Sequence, residues 1–177
     1  MENLDGCMII VTGCSSGIGK GVCEVLLQKL THLDVKIIGM DVKEPDFQND
    51  KFSFFPCDLS DGDKMIQVLK DVVSNNMDKK VGMLVNNCGI SKAIPILNEV
   101  LPHHVDKLIL KPTPAHVYKS FSEITAVNIL APTLLTRIVS SHMDHLKPGF
   151  IFNISSTRAH EVSEFPGSHF YVLLSQQ

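Results

Sequence analysis

The stretch Thr12-Gly13-Cys14-Ser15-Ser16-Gly17-Ile18-Gly19 gathers small and hydroxylated residues in a G-x-x-x-G-x-G spacing. It follows a β-branched run, Met8-Ile9-Ile10-Val11, and precedes Val22, Val25, Leu26 and Leu30, which with Ile18 keep helical spacing. Glycines also serve plain tight turns, so the cluster alone says little. Between a strand and a helix, however, they let backbone N–H groups approach a diphosphate at the helix N-terminus. The loop is therefore read as a dinucleotide cradle. Asp41 closes the next apolar run, where an acid can accept hydrogen bonds from an adenine ribose and would repel a 2′-phosphate. Ser16 brings no positive charge to that place. NAD is thus favoured over NADP, with Lys43 the residue that speaks for the phosphate.

Other reactive side chains form no comparable pattern. The cysteines at 7, 14, 23, 57 and 88 contain no Cys-x-x-Cys pair. Their odd number and scatter fit reduced, buried thiols better than a disulfide framework. His103, His104, His142 and His145 lack an acid or cysteine at a familiar metal spacing and read as solvated. Sixteen basic against nineteen acidic residues give a net charge of −3, which argues against a nucleic-acid binder. No apolar run approaches the roughly 20 residues that cross a bilayer. Acids stand at the N-terminus where a signal peptide would carry Lys or Arg, so the expected location is the cytoplasm.

The elements that must position the loop alternate along the chain. Strands are expected at 8–11, 35–40, 52–56, 81–86 and 150–154, with a loop at 42–51. One helix follows the glycine loop. A second starts at Ser60-Asp61-Gly62-Asp63, with Met65, Ile66, Leu69, Val72, Val73 and Met77 on one face. A long third helix is expected over 118–146. Residues 97–119, with Pro102, Pro112 and Pro114, read as an insertion that holds a short helix at 105–110. This order implies an α/β, Rossmann-like three-layer sandwich: a parallel sheet of about five strands with helices on both faces. With 177 residues, one domain is expected over the whole chain.

Three motifs in these places resemble the classical short-chain dehydrogenase/reductase family, over essentially residues 7 to 171. Thr12, Gly13, Gly17, Ile18 and Gly19 match the T-G-x-x-x-G-I-G loop. Asn86-Asn87-Cys88-Gly89 matches N-N-A-G with one exchange, and Cys57-Asp58-Leu59 matches the acid placed near the adenine. The resemblance implies cofactor contacts from Gly13, Ser15, Ser16, Gly17, Ile18, Gly19, Asp41, Asp58, Leu59, Asn87, Cys88 and Gly89. It also implies catalytic roles. Ser156, in Asn153-Ile154-Ser155-Ser156, would polarise the substrate oxygen, and Tyr171 would exchange the hydroxyl proton. Asn128 would hold a relay water through its main-chain carbonyl, since Pro132 offers that carbonyl no N–H.

The family places Lys four residues after the tyrosine, whereas this sequence has Ser175. A neighbouring ammonium is what would lower a tyrosine pKa from about 10. The family's later helix, strands and substrate-covering loop would lie beyond residue 177, so the sequence reads as truncated just after the tyrosine, with 150–154 left as an apolar edge. The expected activity is NAD(P)-dependent hydride transfer between a small alcohol and a carbonyl. The alternative is a non-catalytic dinucleotide-binding remnant or splice product acting through protein interaction. It would be a homo-oligomer or pair with a full-length relative through the long helix.

Overall fold

The β-branched run after the first turn forms the centre of a five-stranded parallel sheet. The structure is a computed structural model that describes residues 2–91, 114–144 and 149–156. Tyr171, Ser175, His103, His104, His145, the short helix expected at 105–110 and most of the 97–119 insertion lie outside the described residues. The strands are β1 (Cys7–Thr12), β2 (Lys36–Asp41), β3 (Phe52–Pro56), β4 (Lys80–Asn86) and β5 (Phe150–Asn153), in the spatial order β3-β2-β1-β4-β5. The helices are α1 (Gly17–Lys29), α2 (Gly62–Ser74), α3 (Pro114–Thr125) and α4 (Ala131–Ser140). A π-helical segment, Ala126–Leu130, joins α3 to α4.

Alternation along β1 explains why its run is apolar throughout. Met8 and Ile10 point to one face, where they pack with Ile38, Met40, Leu84, Met65, Leu69 and Val72. Ile9 and Val11 point to the other, against Ile37, Val85, Cys23 and Leu30. Both faces are thus covered, as the sequence predicts for a parallel sheet. Asp61 caps α2 by accepting from the Lys64 N–H at 3.1 Å, as its place before the apolar face suggests. Residues 42–51 cross from β2 to β3 without a helix. Phe47 there packs against Phe52 with the rings tilted by 56° and their centroids 4.8 Å apart. The loop ends on Lys51, whose ammonium donates to the carbonyls of Leu30 (3.3 Å), Thr31 (2.9 Å) and Leu33 (2.6 Å) and so closes the C-terminal end of α1.

Several expectations need correction. Ile18 and Val25 are 63% and 54% exposed, so the buried stripe of α1 runs through Gly19, Cys23 and Leu30, flanked by Val22 and Leu26. Small residues let α1 sit close to the sheet, which a pattern of large apolar side chains does not reveal. Met77 lies past the end of α2 and is 83% exposed. The long helix starts at Pro114, inside the segment read as an insertion, because proline fits a first helical turn that needs no N–H. It ends at Ser140 rather than 146, and His142 and Met143 belong to a turn that bridges back to Val81. The apolar edge expected at 150–154 is present: all four residues of β5 are exposed, and it borders only β4 among the described strands.

Candidate functional site

The strand order reverses between β1 and β4, so the loops leaving their C-terminal ends part in opposite directions and open a crevice. The loop after β1 is Gly13–Ser16 in sequence, and the loop after β4 begins at Asn87. Thr12 and Asn87 fasten the two together. The Thr12 hydroxyl accepts the N–H groups of Asn87 (3.0 Å) and Cys88 (3.1 Å) and donates to the Val85 carbonyl (3.4 Å). In return the Asn87 amide donates to the carbonyls of Thr12 (3.0 Å) and Gly13 (3.2 Å).

This clamp dictates the glycines. A Cβ on Gly19 would overlap the Gly13 carbonyl and the Asn87 amide, and one on Gly13 would stand 2.7 Å from that amide. Gly13 and Gly17 also hold φ of 70° and 54°, the left-handed region that other residues enter at a cost. A Cβ on Gly17, by contrast, would meet nothing within 4 Å beyond its own stretch of chain. Ser16 precedes α1 but makes no side-chain cap, so the first-turn N–H groups of that helix take no hydrogen bond from it. An open cradle over an uncapped helix N-terminus is the setting that suits a diphosphate. Exposed Ile18 flanks it with an apolar surface.

Asp41 faces the loop from the end of β2. Its Oδ2 accepts the Ser15 N–H at 3.1 Å, and Oδ1 accepts those of Val42 (2.7 Å) and Lys43 (3.4 Å). The Ser15 hydroxyl donates to the Lys43 carbonyl. Asp58 follows β3 and accepts the hydroxyl (2.7 Å) and the N–H (2.9 Å) of Ser60, which hold its carboxyl below the usual range. Leu59 is buried in the core, so its side chain is committed to packing. Cys88 is half-buried beside Gly89, and burial pushes its thiol up to about 11, with Asp41 and Asp58 adding to the shift. Cys14 and Cys57 are likewise pushed to about 11 and Cys23 to about 12, all chiefly by burial. These thiols are neutral at physiological pH, as inert core residues are.

Asn128 lies in the π-helical segment, and its side chain meets the loop after β4. Its Oδ1 accepts the Ile90 N–H at 2.9 Å and its Nδ2 donates to the Ile90 carbonyl at 3.0 Å. The side chain is therefore satisfied, while Pro132 cannot donate to its main-chain carbonyl. Ser156 follows β5 at the same edge of the sheet and is half-buried, whereas Ser155 is exposed. The described fold thus brings Gly13, Ser15, Gly17, Gly19, Asp41, Asn87, Cys88, Gly89 and Asn128 around the crevice. Tyr171 lies outside the described residues. Two contributions were not read from the sequence: the Thr12 hydroxyl as the knot between the loops, and Asn87 as its partner rather than a freely available amide. The signal was present, since both belong to the quoted motifs, but pairing across 75 positions is invisible without a fold.

Comparison with known proteins places these features. The family model for short chain dehydrogenase matches residues 7–171. The sorbitol-6-phosphate 2-dehydrogenase of Klebsiella pneumoniae is 26% identical, over 92% of this chain and 56% of its own. Among solved structures, the aldohexose dehydrogenase of Thermoplasma acidophilum superposes with a TM-score of 0.74 at 20% identity, over 99% of this chain and 58% of that one. A 4-hydroxyisoleucine dehydrogenase complexed with NADH does so with a TM-score of 0.67 at 22% identity, over 96% and 63%. The chain spans about half the length of the curated relatives it matches. With the glycine loop, the clamp and the strand order all in place, the chain belongs to the short chain dehydrogenase family.

Proposed function

We propose that the chain binds NAD(P), with NAD preferred, in the crevice between the loops after β1 and β4. The observation that carries this reading is the open, uncapped N-terminus of α1 under a glycine loop clamped by Asn87. Gly17, Ile18 and Gly19 would present their N–H groups to the diphosphate. Asp41 would turn a carboxylate toward the adenine ribose, and its negative charge disfavours a 2′-phosphate there. Asp58 and the Leu59 main chain would border the adenine.

The reaction we assign is interconversion of a small alcohol and a carbonyl, with the bound nicotinamide giving or accepting hydride. The Ser156 hydroxyl would donate to the substrate oxygen and fix its place. Tyr171 would give or take the hydroxyl proton. The Asn128 carbonyl would hold a water that leads this proton onward. Ser175 carries no charge to lower the tyrosine pKa, so turnover is expected to be slow, and alcohol oxidation, which needs the tyrosine deprotonated, to rise with pH. The five free thiols suit a reducing cytoplasm, where we place the protein.

The test is calorimetric titration with NADH beside an NADH-oxidation assay on a panel of carbonyls. Saturable binding with turnover supports the full reading. Binding without turnover favours a dinucleotide-binding role alone, an outcome that Ser175 makes specific. Absence of binding to a folded chain overturns both.

A further inference from the structure

Asn86 ends β4 with its side chain buried, and its Nδ2 donates to Asn153 Oδ1 at 2.8 Å and to Thr136 Oγ1 at 3.3 Å. Asn86 and Asn153 are register partners in adjacent parallel strands, so the two amides form a rung across the sheet. Immediately beyond it, the Ile154 N–H donates to the Asn86 carbonyl at 2.9 Å. Register is ordinarily set by burial of one strand face, because a slip of one residue exchanges the faces. That device is weak in β5, where Phe150, Ile151 and Phe152 are 37%, 36% and 48% exposed and a slip changes little burial. The buried amide of Asn86 supplies what burial does not. A slip would set Phe152 or Ile154 beside it and strip it of an acceptor, in a place where its Oδ1 already has no partner among the described residues.

We propose that Asn86, Asn153 and Thr136 are positioning residues that lock β5 onto β4 and thereby place Ser156 at the crevice. The slip they prevent would move that serine by about 3.3 Å along the strand. Thr136 ties the rung to α4, so the helix that follows Asn128 and the strand that precedes Ser156 share one anchor. The functional part rests on the reading of Ser156 given above; the register part does not.

The test compares the full chain with Asn153→Val, which removes the acceptor, and Asn153→Asp, which keeps it. Amide hydrogen exchange at Ile154 reads the register, with Ile10 and Ile38 as references in the sheet centre. Exchange at Ile154 should be about tenfold faster in Asn153→Val, with the references unchanged, and should return near wild type in Asn153→Asp. If Asn153→Val does not fold, Thr136→Val, which removes the other acceptor of the same amide, carries the same comparison. Unchanged exchange at Ile154, or acceleration in Asn153→Asp as large as in Asn153→Val, overturns the proposal. Where wild type turns over, kcat should fall in Asn153→Val while NADH affinity holds. If wild type does not turn over, the hydrogen-exchange comparison still decides the register lock.

Discussion

At the residue scale, Gly17 and Gly19 separate two reasons for the same residue type. Gly19 is held by crowding, since the Gly13 carbonyl and Asn87 amide occupy the space of a side chain. Gly19→Ala is therefore expected to cost about 1–3 kcal/mol of stability and to weaken NADH binding together, by chemical denaturation and calorimetry. Gly17 is held by its backbone alone, with φ 54° and open space above it. Gly17→Ala should cost about 1–2 kcal/mol for the left-handed conformation without disturbing the Asn87 clamp. The thiols give a second prediction. With its thiol raised to about 11, Cys88 should be alkylated by iodoacetamide at pH 8 about 100-fold more slowly than an unperturbed cysteine. Raising the pH should speed the reaction, because the thiolate fraction grows up to that pKa.

At the element scale, the break between α3 and α4 is the feature with most chemistry in it. Pro132 withholds a donor from the Asn128 carbonyl, and the Asn128 amide pins the widened turn to Ile90. Pro132→Ala restores the N–H and is expected to raise stability by about 1 kcal/mol or more in a urea titration. On the functional reading, it should also slow turnover by occupying the carbonyl meant for water. Lys51 makes a purely structural case. Its ammonium serves three carbonyls at the end of α1, so Lys51→Met should cost about 1–2 kcal/mol without changing NADH affinity. The proline and the asparagine were legible in the sequence, but the π-helical break between them was not, because the apolar spacing read as one long helix. The stripe of α1 was not, because Gly19 and Cys23 pack closely while the larger Ile18 and Val25 stay outside. The start of α3 was hidden for a related reason: prolines read as breakers, yet Pro114 begins the helix.

At the scale of the molecule, the parallel sheet was legible because β1, β2 and β4 are apolar on both faces, which only a doubly covered sheet requires. The order of the strands was not, since nothing local tells β4 to lie against β1. That one long-range pairing makes the crevice, and it sets Asn87 between Gly13 and Gly19. On the proposed function, a dinucleotide rests its diphosphate on this clamped loop. Titration of the 15N-labelled chain with NADH, followed by amide resonances, tests it most directly. Saturable shifts are expected at Gly13, Gly17, Ile18 and Gly19, with the far end of α2 at Val73 and Ser74 unmoved. Saturable shifts that leave the α1 N-terminus untouched, or no shifts from a folded chain, would contradict it.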